Sequence, residues 1–94
     1  MKAVMVTTEQ RGVFFGYVGP KAKTDGKTIT LKNARMCVFW STAMRGVLGL
    51  ASMGPDKACR IGPSIPSIIL QNVTSVCEVS KGVVEKWEAA PWTI

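Results

Sequence analysis

Hydrophobic and β-branched residues dominate the first part of the chain in two short runs. These runs are Ala3–Val6 and Val13–Val18, and their composition favours strands. Gly16 interrupts the second run, which predicts a sharp bend or the close approach of another backbone. Residues 19–27 then contain a Gly-Pro and an Asp-Gly pair, so we expect a turn-rich loop between this strand and the next.

The longest strand candidate, Thr28–Trp40, changes the phase of its apolar positions in the middle. Ile29 and Leu31 alternate with polar residues, but after Asn33 the apolar set moves to Ala34, Met36, Val38 and Trp40, which leaves Arg35 on the other face. A flip in a period-two pattern indicates a bulge or a strong bend near Asn33. Strongly bent long strands allow a small barrel to close.

The second half of the chain is predicted to contain a short strand, a long loop and a hairpin. Gly46–Ala51 is compatible with a strand or a short helix, and a strand is favoured because its two glycines weaken a helix. A loop bracketed by Gly-Pro pairs at 54–55 and 62–63 follows. Ser67–Val79 is predicted to form a hairpin that reverses at Gln71-Asn72, since Asn tolerates the positive φ of a tight turn.

The last element is predicted to be a helix from Lys81 to Ala90, capped by Ser80 and ended by Pro91. Its apolar residues fall on one face at helical spacing: Val83, Val84, Trp87 and Ala90. So short a helix must pack on the sheet or on a neighbouring subunit. We therefore expect its tryptophan to be an anchor, and Trp92 after it another.

Length and charge indicate one basic domain. The 94 residues suffice for a single domain, residues 1–94, with a barrel over 2–79 and the helix over 81–90. The net charge is +6, and residues 1–60 hold 10 basic and 3 acidic side chains. A basic face attracts anionic partners, of which nucleic acids are the commonest. The alternative is a solvated surface that happens to be basic.

The residue inventory argues against an enzyme. The chain has no His, the usual general base near neutral pH. Glu85 and Glu88 lie at i, i+3 spacing, but such pairs are commonly plain surface charges. Three widely spaced cysteines indicate a reducing compartment, which we take to be the cytoplasm. We expect no metal, no cofactor and no membrane span.

Lysines and aromatic residues near the first loop form the best binding candidate. Basic side chains beside exposed aromatic rings make a surface for single-stranded nucleic acid. The lysines are Lys21, Lys23, Lys27 and Lys32, and the aromatic residues are Phe14, Phe15 and Tyr17. The alternative is that the aromatic residues belong to the core, which is the commoner outcome in a small domain.

Three segments resemble the Sm-like family, which includes the Lsm proteins and bacterial Hfq. Gly16 in VFFGYV stands where the first motif of that family has its bend glycine. Residues 25–34, DGKTITLKNA, look like the strand of that motif, and residues 70–76, LQNVTSV, are similar to the second-motif turn. The matched segments cover roughly half of the chain. In this chain the helix follows the predicted barrel, and Thr28 stands at the position of the RNA-contacting Asn of the motif.

The resemblance implies a strongly bent barrel of five strands, a homo-oligomeric ring and binding of RNA or another polyanion. It places Lys27 and Thr28, together with Gln71 and Asn72, at the pore of the ring, while Lys21, Lys23 and Lys32 attract phosphates. The stretches RGVFFGYV and VEKWEAAPW are also similar to small phage and prophage proteins. This similarity suggests a source and implies no function. The alternative function is a structural or interaction protein, such as a phage accessory module, that binds a protein partner and no nucleic acid.

Overall fold

The computed structural model describes residues 1–9, 12–20, 26–40, 46–56 and 59–90. Lys21, Lys23 and Trp92, named above, lie outside these ranges. The strands are β1 (Lys2–Thr8), β2 (Val13–Val18), β3 (Ile29–Phe39), β4 (Arg60–Ile61), β5 (Ile65–Leu70) and β6 (Val73–Glu78). The helices are α1 (Gly46–Met53) and α2 (Val84–Ala89), and a 3₁₀ turn, Lys81–Val83, leads into α2. The prediction of a mainly β fold with a C-terminal helix is confirmed.

All six strands belong to one antiparallel sheet in which β3 is the central element. Strand β2 pairs with β1 on one side and β3 on the other, and β6 extends the sheet beyond β1. The far side of β3 is shared, because β5 pairs with its first half and β4 with its last residues. Strand β3 therefore joins every part of the sheet.

A bulge in β3 lies where the phase change predicts it. Asn33 has a φ of +48°, and the register between β2 and β3 shifts beside Gly16. A Cβ atom at Gly16 would lie 2.9 Å from the Cβ of Leu31. The glycine is therefore required by the close approach of the two strands at the bulge. Because of the extra residue, Leu31 and Ala34 are buried in the same cluster.

Two predictions of strand pairing are wrong, namely the hairpin over Ser67–Val79 and the closure of the sheet into a barrel. Asn72 does have the positive φ expected of a reversal, +56°, but β5 pairs with β3 and β6 pairs with β1. These strands lie at opposite edges of an open sheet. Since only two residues join β5 to β6, the sheet must curve until its edges are a turn apart. The strong bend is present, but the ladder that would close a barrel is not.

A helix, α1, occupies the segment predicted to be a strand. Leu50 and Ala51 are buried against the C-terminal helix and the sheet, so tertiary packing outweighs the weak helix propensity of the glycines. Gly54 has a φ of +82°, and its N–H donates to the Leu50 carbonyl at 3.2 Å. Gly54-Pro55, predicted to be loop punctuation, is thus the C-terminal cap of α1. The predicted loop between the Gly-Pro pairs also contains the short strand β4.

The C-terminal helix packs on the sheet through the predicted apolar face. Trp87 is fully buried, and its ring stacks on Phe15 with centroids 5.2 Å apart. Its indole N–H donates to the Leu50 carbonyl at 3.2 Å, which links α2 to α1. The predicted anchoring role of Trp87 is therefore confirmed. Ser80 precedes the helix as predicted but makes no side-chain capping hydrogen bond.

Replacing Gly16 tests the close approach at the bulge. We expect Gly16→Ala to lower the free energy of unfolding by about 1–3 kcal/mol, because the added methyl group overpacks the site against Leu31. Urea titration followed by tryptophan fluorescence measures this change. The matched control is Gly19→Ala, where a Cβ meets nothing within 4 Å. Equal stability of the two variants would contradict the proposed constraint.

Candidate nucleic-acid interface

Three loops meet at one end of the sheet and bring together four of the predicted site residues. The backbone N–H of Val73 donates to the Lys27 carbonyl at 2.9 Å, and that of Glu9 donates to the Asn72 carbonyl at 2.9 Å. The side chains exposed there are those of Lys27, Thr28, Gln71 and Asn72. We call this group the polar end. The Sm-like resemblance predicts that these four residues lie close together, and in the structure they lie at the same end of the sheet.

A cleft of about 420 Å³ opens beside the polar end. Gln71 and Asn72 form one border, and the half-buried ring of Phe14 forms part of the wall. Thr8 and Met36 also line the cleft. Amide groups that can donate and accept hydrogen bonds therefore border a partly apolar space next to the lysine.

Lys32 lies apart from the polar end, in the middle of β3. It is exposed and sits directly opposite Tyr17 of β2 in the ladder. The aromatic residues beside the lysines do not form an exposed platform. Phe15 is 1% exposed in the core, and the Tyr17 ring packs edge-on against it with centroids 5.4 Å apart. The core interpretation of Phe15 is thus the correct one.

Arg35 is a buried cation whose role the sequence pattern did not indicate. Its side chain is 7% exposed. Nε donates to the Gly62 carbonyl at 2.8 Å, while Nη1 donates to the carbonyls of Trp87 at 2.8 Å and Ala90 at 2.9 Å. Burial lowers the pKa of the guanidinium from its usual value. A cation at the carbonyl end of a helix is favourable, so Arg35 fixes the end of α2 on the sheet.

A second pocket, of about 410 Å³, lies between β2, β3 and the end of α2. Its polar lining consists of Tyr17, Asn33, Arg35, Ser64 and Glu88. The Tyr17 hydroxyl donates a hydrogen bond to the Glu88 carboxylate. Burial, and then the contact with this carboxylate, raise the pKa of Tyr17 to about 12. We call this space the Arg35 pocket.

An apolar groove of about 400 Å³ offers a different kind of surface. Its lining includes Phe14, Met36, Val38, Ile65 and Ile68. Met36, Val38 and Ile65 are each at least 40% exposed. Contiguous exposed apolar side chains are typical of sites that bind protein segments or other apolar ligands.

The described residues were compared with the requirements of metal sites, reactive thiols and membrane-spanning helices. They contain no group of three or more His, Cys, Asp or Glu side chains placed to hold a metal ion. The cysteines Cys37, Cys59 and Cys77 form no disulfide bond within the described residues, and burial raises the pKa of Cys37 to about 12. No helix in these ranges has the length and hydropathy needed to cross a membrane.

Fold and sites together define a mainly β domain in which an open, curved sheet carries two helices on one face. The chain belongs to the family described as Domain of unknown function (DUF6948), whose model matches residues 1–87. No curated protein and no solved structure matches the chain. The match covers every strand of the described sheet and the anchoring residue Trp87.

The single tyrosine of the chain allows the Tyr17–Glu88 contact to be measured directly. We expect the phenolate absorbance at high pH to rise with a midpoint near 12, because the pKa of Tyr17 is raised in the folded protein. A raised pKa favours the protonated form, so the stability it contributes is present below pH 10 and is lost as the pH rises towards 12. Circular dichroism at each pH identifies the range in which the protein is folded.

Two variants separate the causes of this shift. Glu88→Gln should lower the midpoint and leave it above that of an exposed tyrosine, since burial is the larger cause. Glu85→Gln, on the same helix, should leave the midpoint unchanged. A wild-type midpoint at the ordinary tyrosine value of about 10 would contradict the contact.

Proposed function

We propose that this protein binds single-stranded nucleic acid, and specifically RNA, at the polar end of the sheet. The observation that carries the proposal is the convergence of Lys27, Thr28, Gln71 and Asn72 beside a cleft that contains Phe14. The amides supply donors and acceptors for base edges, and the half-buried ring offers a face for stacking. Lys27 and Lys32 supply positive charge for phosphates.

The overall charge supports an anionic partner. A net charge of +6 on 94 residues favours association with polyanions. The amides at Gln71 and Asn72 carry no charge of their own, so phosphate attraction depends on the surrounding lysines. Nucleic acid is therefore expected to bind with a marked dependence on salt concentration.

Assembly into a homo-oligomeric ring is part of the proposal. Strand β5 pairs only with β3, and β6 pairs only with β1, so each leaves one edge without a partner strand within the described residues. Free edges at the two ends of one sheet can pair between copies. Such pairing, which the Sm-like resemblance also implies, would repeat the polar end around a common axis.

A second candidate function is a protein-interaction module, as in a phage accessory factor. The apolar groove that includes Met36, Val38 and Ile65 favours it, because these side chains are exposed together. For either function we propose a cytoplasmic location, since the three cysteines form no disulfide bond within the described residues and reduced cysteines are typical of a reducing compartment.

Binding of a fluorescein-labelled single-stranded RNA, measured by anisotropy at several salt concentrations, tests the leading proposal. We expect affinity to fall steeply with salt, and Lys27→Ala and Lys32→Ala each to reduce the salt slope by about 0.7, the value for one lost phosphate contact on a single strand. Lys81→Ala removes an exposed lysine from the 3₁₀ turn and is the matched control.

The contribution of the turn amides needs a variant that preserves the backbone. Asn72→Gly keeps the positive φ of +56° accessible and removes only the side chain. We expect weaker RNA binding with an unchanged salt slope. Absent or salt-insensitive RNA binding by the wild-type protein would overturn the proposal and favour the protein-interaction module.

A further inference from the structure

The Arg35 pocket contains a buried charge that the surrounding protein satisfies only in part. The Glu88 carboxylate lines the same pocket, but within the described residues the Arg35 guanidinium forms no ion pair. Its hydrogen bonds use Nε and Nη1, while the Nη2 amino group has no hydrogen-bond partner in the same part of the chain. Arg35 is 7% exposed and lines the pocket. Within the described residues, the Nη2 amino group is therefore the donor of Arg35 that remains for a ligand.

We propose that the Arg35 pocket is a guanine-binding subsite of the RNA surface proposed above, and the inference rests on that proposed function. The juxtaposition that points to guanine is that of the Glu88 carboxylate and the Arg35 guanidinium in one pocket. Its volume of about 410 Å³ lies within the range of small-ligand sites.

The Glu88 carboxylate provides the acceptor side of the subsite. It accepts a hydrogen bond from the Tyr17 hydroxyl, but an ionised carboxylate has about four acceptor positions. The remaining positions can accept from two adjacent N–H groups of a ligand. The N1–H and the 2-amino group of guanine are such a pair, and their geometry matches a carboxylate in the way that a guanidinium does.

The Arg35 guanidinium provides the donor side. Guanine presents acceptors at O6 and N7. Because Nε and Nη1 already donate to backbone carbonyls, Arg35 would contact O6 through its Nη2 amino group alone. The other bases fit less well. Adenine offers an amino group at the position of O6 and would face Arg35 with a donor, while uracil and cytosine lack the adjacent pair of donors. Selectivity for guanine follows from the two charged groups acting together.

Lys32 connects the subsite to the rest of the proposed surface. It lies opposite Tyr17 in the β2–β3 ladder, and cross-strand partners share one face of a sheet. Lys32 therefore shares a face with Tyr17, which lines the pocket, and we expect its ammonium group to contact the phosphate of a bound nucleotide. The distance along β3 from Thr28 at the polar end to Asn33 at the pocket is about 17 Å at the usual rise per residue. Phe14 of the cleft and Phe15 of the pocket lie on opposite faces of β2, so a single strand that contacts both must pass from one face of the sheet to the other.

Three RNA oligonucleotides that differ at one position test the subsite. They carry guanine, inosine (which lacks the 2-amino group) or adenine at that position, and affinity is measured by anisotropy. For the wild-type protein we expect guanine to bind roughly tenfold more tightly than adenine, the discrimination of one good bidentate pair. The affinity for the RNA with inosine should lie between the affinities for the RNAs with guanine and adenine.

The variants distinguish the pocket from the general RNA surface. Glu88→Gln should abolish the preference for guanine, while Glu85→Gln, which removes a carboxylate outside the pocket, should keep it. Glu88 is exposed, so its replacement should leave the fold intact, and the thermal midpoint checks this. Lys27→Ala should weaken the binding of all three RNAs equally, because Lys27 is proposed to contact phosphate at the polar end.

The remaining outcomes distinguish the guanine subsite from RNA binding at the polar end. Equal affinity of wild-type protein for the three RNAs would overturn the guanine subsite and leave RNA binding in place. If no RNA binds, the proposed function fails, and titration with free GMP and AMP monitored by NMR then tests the pocket. Shifts of the Tyr17 and Glu88 amide signals with GMP alone would support a guanine pocket, and unchanged signals would overturn it.

Discussion

The hydrogen bonds of the Arg35 guanidinium hold the end of α2 against the central strand. Carbonyls of Gly62 and Trp87 accept from it at 2.8 Å, and that of Ala90 accepts at 2.9 Å. The bonds to Trp87 and Ala90 satisfy carbonyls at the end of α2, and all three bonds compensate part of the cost of burying the charge. Because α2 is only six residues long, it would be unstable without such tertiary contacts. The contacts also place Glu88 beside Tyr17 and so create the second pocket.

Curvature of the sheet is the second constraint, and it builds the polar end. The bulge at Asn33 and the close contact of Gly16 with Leu31 bend β3 where it meets β2. A two-residue turn with Asn72 at positive φ then joins strands from opposite edges. The loop before β3 and this turn are thereby brought within hydrogen-bond distance. Both candidate binding regions thus depend on β3, at its start and at its bulge.

Local features of the fold could be predicted from sequence, whereas long-range pairing could not. Composition and period-two alternation located five of the six strands and missed the short β4. Gly16, Asn33 and Asn72 marked positions with special backbone requirements. Alternation assigns residues to faces but does not identify partner strands, so the hairpin and the barrel closure were predicted wrongly. The helix α1 was not predicted, because the glycines within it favour a strand over a helix. The Gly54-Pro55 pair after it is typical of a helix C-terminus and was assigned to a loop. Arg35 bonds to residues about fifty positions away, which no local pattern reveals.

The most direct test of the central claim, that RNA binds at the polar end, is ultraviolet cross-linking of a bound single-stranded RNA followed by mass spectrometry of the peptides. The account predicts cross-links on the segments that contain Lys27 and Thr28 or Gln71 and Asn72, with Phe14 as the aromatic neighbour. Cross-links confined to surfaces away from these segments, or no cross-link at low salt, would contradict it.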